Sequence, residues 1–214
     1  MHLNKKATII YKILLKQYPN ACTALNHKSP EQMLIATVLS AQCTDRQVNK
    51  VTPHLFKKYP DMAALSKAKI SDIESIIHST GFFHQKAKNL KTIAVYLMKT
   101  SNGKIPRSIK QLIKLPGVGR KTANVVLGTA FGIPSGIAVD THVKRLSIRL
   151  GFSAKTSAVK VELDLMKIVP KKRWIEWSNL LIWHGRNTCD ARKPKCSKCQ
   201  LQELCPKIGV SNSV

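Results

Sequence analysis

The sequence predicts an all-α protein, and three observations support that prediction. Apolar residues recur at helical spacing along most of the chain, starting with Ile9, Ile10 and Ile13. Helix starts are marked by Ser or Thr with Gln or Glu three residues later, a pattern that caps the first turn. These matches begin at Ser29, Thr44, Ser71 and Ser108. No segment alternates between apolar and polar residues as a half-buried strand does, so we expect about ten short helices.

Individual helix ends follow from local residues. The second helix is predicted to start after Ser29, because Pro30 then occupies the first helical position, which tolerates proline. Gly81 and Gly103 each follow an apolar helical run and predict a helix end. After Gly185 the apolar periodicity stops, and Cys, Lys, Arg and Pro dominate the sequence. A segment so poor in apolar residues needs another organiser, which a metal would supply.

The charge balance indicates a polyanionic partner. Lys and Arg total 36 against 11 Asp and Glu, which gives a net charge of +25 and an isoelectric point near 10.1. Such a field attracts nucleic acid, although a lysine-rich composition can also reflect genome bias, and these lysines are spread along the whole chain. The sequence contains no export signal and no apolar run of membrane-spanning length. We therefore expect a cytoplasmic protein with no membrane partner, associated with the nucleoid if the cell is bacterial.

A glycine turn separates two predicted helices at residues 115–119, which read Leu-Pro-Gly-Val-Gly. The proline ends the first helix, and Gly117 and Gly119 allow positive φ and a close approach of the backbone. The next helix begins near Gly119, so its N–H groups point to where a phosphate can bind. Arg120 and Lys121 add positive charge at the same place. A plain corner between two helices is the alternative, and two glycines alone do not exclude it.

A lysine and an aspartate near this turn form a possible chemical pair. Asp140 follows Lys121 by nineteen residues, in the segment Val-Asp-Thr-His. Asp140 precedes an apolar helical run and would cap that helix, whereas Lys121 could simply bind phosphate or face solvent. The Leu-Pro-Gly-Val-Gly turn followed by Arg-Lys resembles the helix-hairpin-helix motif of DNA glycosylases. Together with the Val-Asp-Thr-His segment, it is similar to the endonuclease III family of bifunctional DNA glycosylases and AP lyases.

This resemblance extends from about Ser29 to Cys205 and implies both a fold and an activity. The fold would have two all-α domains, one at 23–134 carrying the helix-hairpin-helix, the other at 1–22 plus 135–214. Lys121 would be the nucleophile and Asp140 its acidic partner. The enzyme would remove oxidised pyrimidines from double-stranded DNA and cleave the strand at the abasic site by β-elimination through a lysine Schiff base. We expect a monomer.

Four cysteines cluster near the C-terminus with intervals of six, two and five residues. They are Cys189, Cys196, Cys199 and Cys205. Four thiolates at such short spacing suit either a zinc ion or an iron–sulfur cluster, and the spacing alone does not choose between them. The resemblance to endonuclease III implies a 4Fe-4S cluster bound by these four cysteines. Cys22 and Cys43 lie outside the pattern, and we interpret them as unligated thiols.

Further residues are predicted to contact DNA. Arg192, Lys193 and Lys195 lie between the cysteines, where a metal-clamped loop would hold them against phosphates, unless they are merely solvated. A damaged base must leave the stack before it can react. The segment Ser-Ala-Gln at 40–42 resembles the family segment whose glutamine fills the resulting gap, which implies that role for Gln42. Gly-Phe-Phe at 81–83 resembles the family's wedge loop and implies a wedge at Phe82, although adjacent phenylalanines are more often core residues.

Two other functions compete with this interpretation. A monofunctional glycosylase on the same fold would lack a lysine at the position of Lys121, and adenine-removing members carry a further C-terminal domain. We expect no such domain, since only nine residues follow Cys205 in this sequence. A basic DNA-binding module with a structural metal would explain the hairpin, the charge and the cysteines. It would not explain the pairing of Lys121 with Asp140. The sequence alone does not define the lesion spectrum.

Overall fold

Helices and short turns make up all the regular structure of the chain, which confirms the all-α prediction. The computed structural model describes all 214 residues and contains eleven α-helices and no β-strand. The helices are α1 (Leu3–Gln17), α2 (Pro30–Leu39), α3 (Asp45–Lys58), α4 (Met62–Lys67), α5 (Ile70–Ile77), α6 (Phe83–Ser101), α7 (Ile109–Leu112), α8 (Arg120–Phe131), α9 (Thr141–Arg149), α10 (Ala158–Ile168) and α11 (Trp174–Asn187). Four 3₁₀ turns cover His78–Thr80, Lys171–Arg173, Cys196–Lys198 and Gln202–Leu204.

The chain divides into two compact units. One unit is the continuous segment 24–135, and the other combines 1–23 with 136–214. These bounds lie one residue from the predicted domain limits of 23–134 and 135–214. Because the second unit is discontinuous, its N-terminal helix must pack against helices more than a hundred residues later in the chain.

The continuous unit contains α2 to α8 around one apolar core. Helix α2 packs against α8, and α6 packs against α4 and α5. Among the fully buried side chains are Met33, Leu34, Leu39, Leu55, Ile73, Ile77, Leu90 and Ile93. Leu115 and Val118 of the glycine turn belong to the same core, so the turn is anchored by apolar side chains on both sides of Gly117.

The discontinuous unit contains α1, α9, α10 and α11 around a second core. Helix α11 packs against α9 and α1, with Trp177 fully buried at its centre. Beyond α11 the chain has no further α-helix, and Leu201 is the only apolar residue there that joins this core as a buried side chain. The prediction that apolar periodicity ends near Gly185 is therefore confirmed.

Most of the predicted helix starts are confirmed, with one error. Ser29 and Thr44 each accept a hydrogen bond from the backbone N–H three residues later, as the capping pattern predicts. Ser108 lies at the cap position of α7, but its side chain makes no capping bond. The predicted start at Ser71 is wrong, because α5 already begins at Ile70 and its cap position is Lys69. None of the helices combines the length and apolar character that a membrane-spanning segment needs.

Candidate active site and cysteine loop

The glycine turn joins α7 to α8 through a short, hydrogen-bonded backbone. The N–H of Val118 donates to the carbonyl of Leu115 at 3.1 Å, and Gly117 has a φ of 75°. This left-handed conformation favours glycine, as the sequence predicts. Gly119 differs from the expectation, because its φ is −85° and it serves as the extended N-cap of α8. The structure therefore forms a helix-hairpin-helix in which only one of the two glycines needs positive φ.

The N-terminus of α8 has the features of an anion site. Its cap residue is Gly119, no side chain caps the first turn, and the first turn contains no acidic residue. The first N–H groups of a helix lack partners within the helix, and the helix dipole favours negative charge beside them. Arg120 and Lys121 follow directly, and Lys121 is exposed. Backbone and side chains thus present positive charge together.

The side chain of Asn89 on α6 packs against this turn at Gly117. A β-carbon added at Gly117 would lie 2.6 Å from Nδ2 of Asn89. The side-chain oxygen of Asn89 accepts a hydrogen bond from Nε2 of Gln85 at 2.8 Å, which holds the amide in place. Sequence reasoning missed Asn89, because it is separated from Gly117 by 28 residues and carries no local signal of the contact.

Asp140 caps α9, as the sequence predicts. Its Oδ1 accepts a hydrogen bond from the N–H of Val143 at 2.8 Å, and the residue is half-buried. The neighbouring His142 packs against Gly185 and lies with Nδ1 3.2 Å from Nη2 of Arg145. Burial lowers the pKa of His142, and the negative charge of Asp140 opposes that shift. These contacts give His142 a structural role, and they fix the Asp140 carboxylate at a helix start.

Lys121 and Asp140 belong to different compact units, since Lys121 lies in 24–135 and Asp140 in 136–214. Each is positioned at the N-terminal end of a helix, Lys121 inside the first turn of α8 and Asp140 at the cap of α9. Both residues therefore lie at the start of a helix.

Two exposed residues predicted to read the lesion have unusual backbones. Gln42 has a φ of 52° and Phe82 a φ of 50°, both in the left-handed region. Only two other non-glycine residues in the chain, Asn102 and Lys207, have positive φ. Strained backbone of this kind often marks a functional site. Phe82 is 66% exposed, so the alternative that it is a core residue is excluded, whereas Phe83 is half-buried beside the core.

The four clustered cysteines line a single pocket, while Cys22 and Cys43 are not part of its lining. Other lining residues include Arg149, His184 and Leu201. No group of three or more His, Cys, Asp or Glu side chains is arranged to hold one metal ion. Burial raises the pKa of Cys199 and of Cys205, and neighbouring cysteines add to both shifts. Burial also lowers the pKa of His184 to about 4, so the imidazole beside Cys199 is neutral.

Two arginines of α9 hold the cysteine loop to the rest of its unit. Arg149 is buried, and its guanidinium donates to the carbonyls of Asp190 and Ala191 at 2.6 and 2.7 Å. It also donates to Sγ of Cys189 at 3.2 Å. Arg145 donates to the carbonyl of Cys189 at 2.8 Å. Sequence reasoning missed both arginines. One signal was present, because Arg149 lies at a helical position beside Leu146 and Leu150, where burial is expected.

The basic residues between the cysteines are exposed, as a DNA contact would require. The side chains of Arg192, Lys193 and Lys195 all reach the surface. The N–H groups of Arg192 and Lys193 donate to Oδ1 of Asp190 at 2.9 and 3.3 Å, which fixes their backbone. The ammonium of Lys195 donates to the carbonyl of Asn187 at 3.1 Å. Cations on this loop are therefore presented from an ordered backbone.

Comparison with known proteins agrees with this geometry. Residues 35–171 match the model of the HhH-GPD superfamily of base excision DNA repair proteins. The chain is 51% identical over 207 residues to endonuclease III of Synechocystis sp., covering 97% of this chain and 94% of that protein. The alignment with the Synechocystis protein includes the hairpin, Asp140 and the four cysteines.

Two solved structures share the fold over nearly the whole chain. One is a non-covalent endonuclease III–DNA complex, and the other is a trapped endonuclease III–DNA covalent intermediate with an estranged adenine. Each is 44% identical to this chain with a TM-score of 0.91, and the alignment covers 97% of both chains. The chain therefore belongs to the HhH-GPD superfamily of base excision DNA repair proteins and, within it, to the endonuclease III family.

Proposed function

We propose that this protein is a bifunctional DNA glycosylase and abasic-site lyase of base excision repair that removes oxidised pyrimidines from double-stranded DNA. The observation that carries the proposal is the exposed Lys121 in the first turn of α8, directly after a phosphate-binding hairpin. A relative trapped as a covalent DNA intermediate supports chemistry in which the enzyme becomes attached to its substrate.

Lys121 is the nucleophile of this reaction. Its deprotonated amine attacks C1′ of the damaged nucleoside, the glycosidic bond breaks, and the base leaves with its bonding electrons and takes up a proton. The nitrogen, after losing a proton, forms the C=N bond of a protonated Schiff base as the C1′–O4′ bond of the sugar ring breaks and O4′ takes up a proton. This Schiff base acidifies the protons on C2′. Loss of that proton expels the 3′-phosphate by β-elimination and nicks the strand. Water finally hydrolyses the Schiff base and releases Lys121.

Asp140 is the acidic partner of Lys121. Its carboxylate accepts the N–H of Val143 and is held in one orientation at the start of α9. Such a group accepts the ammonium proton of the nucleophile and stabilises positive charge that develops on the sugar. Capping and catalysis therefore use the same carboxylate in the same orientation.

The hairpin and the cysteine loop grip the DNA backbone. The N–H groups around Gly117 and Gly119 and the side chain of Arg120 bind phosphate without reading sequence. Arg192, Lys193 and Lys195 add phosphate contacts from the cysteine loop. These contacts place the duplex, and the lesion is selected by other residues.

Gln42 and Phe82 act on the bases rather than on the phosphates. Phe82 is a wedge that stacks beside the extruded lesion, and Gln42 fills the gap and contacts the orphaned base. Extrusion costs a few kcal/mol, so rigid, exposed side chains at the gap favour it.

The cysteine loop suits a 4Fe-4S cluster ligated by Cys189, Cys196, Cys199 and Cys205. Four soft thiols line one pocket, and Arg149 donates a hydrogen bond to one of the sulfurs, as is common around iron–sulfur sites. The cluster would supply structural order to a segment with little apolar core. The alternative is that the four cysteines bind a zinc ion. Iron and sulfide analysis with a broad absorption band in the blue would identify the cluster, and stoichiometric zinc without iron would exclude it.

Trapping with borohydride tests the catalytic assignment. The protein is incubated with duplexes carrying one oxidised pyrimidine or one abasic site, and the Schiff base is reduced to a stable cross-link. We expect cross-linking with the unaltered protein and none with Lys121→Ala, while Lys114→Ala, an exposed lysine before the turn, cross-links normally. Asp140→Asn should slow base release about 100-fold, a typical loss for general acid–base groups.

Each outcome of this experiment has a clear meaning. Equal cross-linking by Lys121→Ala would refute the nucleophile assignment. Base release without nicking or cross-linking would identify a monofunctional glycosylase, and binding without either reaction would identify a non-enzymatic DNA-binding module.

A further inference from the structure

The backbone at Phe82 needs a support, because this residue is left-handed although it is not a glycine. Gly81 has a φ of 69° and Phe82 a φ of 50°, and Phe82 is largely exposed. An exposed aromatic side chain gains little from packing that would compensate for such a backbone. The energy that maintains this turn must therefore come from contacts made by its neighbours.

Lys86 makes those contacts from the first turns of α6. Its side chain is only 5% exposed, and its ammonium donates to the carbonyl of Thr80 at 2.8 Å. Its backbone N–H makes the first regular bond of α6, to the carbonyl of the cap residue Phe82 at 3.0 Å, so the contact that depends on the lysine side chain is the one to Thr80. The ammonium of Lys86 thus fixes the residue directly before Gly81 from the helix that follows Phe82. Burial of an ammonium is costly, so an apolar residue would pack here more favourably unless the charge had a use.

The second strained residue, Gln42, lies on a loop near the same lysine. Cys43 is half-buried beside the core, and the charge of its thiolate form would partly offset the lowering of the Lys86 pKa that burial causes. A separate bond also joins the two regions, since Nε2 of Gln47 donates to Oγ of Ser79 at 2.6 Å. Gln47 on α3, shortly after the Gln42 loop, therefore joins this region to the turn that precedes Phe82.

We propose that Lys86 is a positioning residue that holds the turn of Phe82 in its strained conformation, beside the Gln42 loop, before DNA binds. The inference rests on the proposed function, in which Phe82 and Gln42 act on the bases. A preformed wedge avoids the ordering cost that a relaxed turn would incur on binding. Lys86 therefore assists extrusion of a stacked lesion and has little part in the later elimination step at an abasic site.

The test compares two reactions of one variant. Lys86→Met keeps the length of the side chain and removes its charge, and Lys88→Met on the exposed face of α6 is the matched control. Single-turnover base release is measured on a duplex with a paired oxidised pyrimidine, and strand nicking on a duplex with an abasic site. We expect Lys86→Met to slow base release about 10- to 100-fold, the range expected for small misplacements, and to change nicking about twofold or less. Lys88→Met should change neither rate by more than about threefold.

A double mutant separates positioning from general stability. If Lys86 acts through the wedge, adding Lys86→Met to Phe82→Ala should slow base release no further than Phe82→Ala alone. Equal losses of base release and nicking in Lys86→Met, no loss in either, or full additivity with Phe82→Ala would each overturn the inference. Failure of the unaltered protein in both reactions would instead refute the proposed function.

A second variant serves if Lys86→Met does not fold. Gln47→Met removes the bond to Ser79 from a partly exposed position and should slow base release selectively, by less than Lys86→Met would. No selective loss in Gln47→Met would then overturn the inference.

Discussion

The hairpin turn and the cysteine loop are both proposed to hold phosphates, but different interactions maintain their shapes. In the hairpin, Leu115 and Val118 are buried in the apolar core of the 24–135 unit, and Gly117 supplies the one left-handed residue. In the cysteine loop, buried apolar side chains are few, and the backbone is fixed by Arg145, Arg149 and the thiols. The hairpin should therefore keep its conformation when the cluster is lost, whereas the cysteine loop should lose its order.

Removal of one cysteine is the change expected to have the largest effect. In Cys199→Ser we expect loss of the 4Fe-4S cluster and of order in the loop, because a structural metal site can contribute about 10 kcal/mol or more to folding. Helices α2 to α8 have their own core and should stay folded. Iron analysis and amide hydrogen exchange measured in both regions would check this.

Cys22→Ser is the matched control, because Cys22 is exposed and lies outside the pocket. It should retain the iron content of the unaltered protein. Full iron content in Cys199→Ser would contradict the proposed ligand set.

Loss of Arg149 should have the next largest effect and should act on the loop alone. Arg149→Met leaves the carbonyls of Asp190 and Ala191 without this donor, at a cost of about 0.5–1.5 kcal/mol for each bond, because both residues are exposed and water can replace the donor. We expect a lower free energy of unfolding and slower recovery of the cluster after its removal. Denaturant unfolding and absorbance measure these two quantities.

Lys144→Met on the same helix is the control for Arg149, since no bond to the loop involves it. A variant of Arg149 with unchanged stability and unchanged cluster retention would show that the loop does not depend on this arginine.

The difference between the two regions also explains which features the sequence predicts. The turn at 115–119 and the cap at Asp140 depend on residues adjacent in the chain. The cap is predicted correctly, and so is the turn apart from the φ of Gly119. Asn89 beside Gly117 and Arg149 beside Cys189 are long-range partners. Helical spacing predicts that Arg149 is buried, but no local pattern identifies either contact. The left-handed conformation of Phe82 was unpredictable for another reason. A non-glycine residue adopts it only when tertiary contacts, here those of Lys86, hold it there.

Substitutions at Gly117 and Gly119 should distinguish the contribution of each glycine to the conformation of the hairpin from its contribution to phosphate binding. Gly117→Ala forces a side chain into a left-handed conformation and against Asn89, so we expect about 1–2 kcal/mol of lost stability and weaker DNA binding. Gly119 has a φ of −85° and open space around its β-carbon position. Gly119→Ala should therefore cost less, about 0.5–1 kcal/mol as a poorer cap, while still weakening DNA binding.

Denaturant unfolding together with DNA titration would measure both effects for each glycine variant. Stability in Gly117→Ala equal to that of the unaltered protein would contradict the role of positive φ. Normal DNA affinity in Gly119→Ala would contradict close approach of a phosphate there.

A single exposed lysine should give the smallest effect and the sharpest contrast between the two regions. Lys193→Ala removes one cation from the cysteine loop, so the slope of log affinity against log salt should fall by about 0.9. Lys99→Ala, at an exposed position of α6 outside every proposed contact, should leave the slope unchanged. In the background of Cys199→Ser the effect of Lys193→Ala should disappear, because the loop no longer holds that lysine against the DNA. The hairpin contributes to the slope through Arg120, which lies outside the cysteine loop, so its share of the slope should remain in both backgrounds. An equal fall in slope with and without Cys199 would mean that the thiols do not position Lys193.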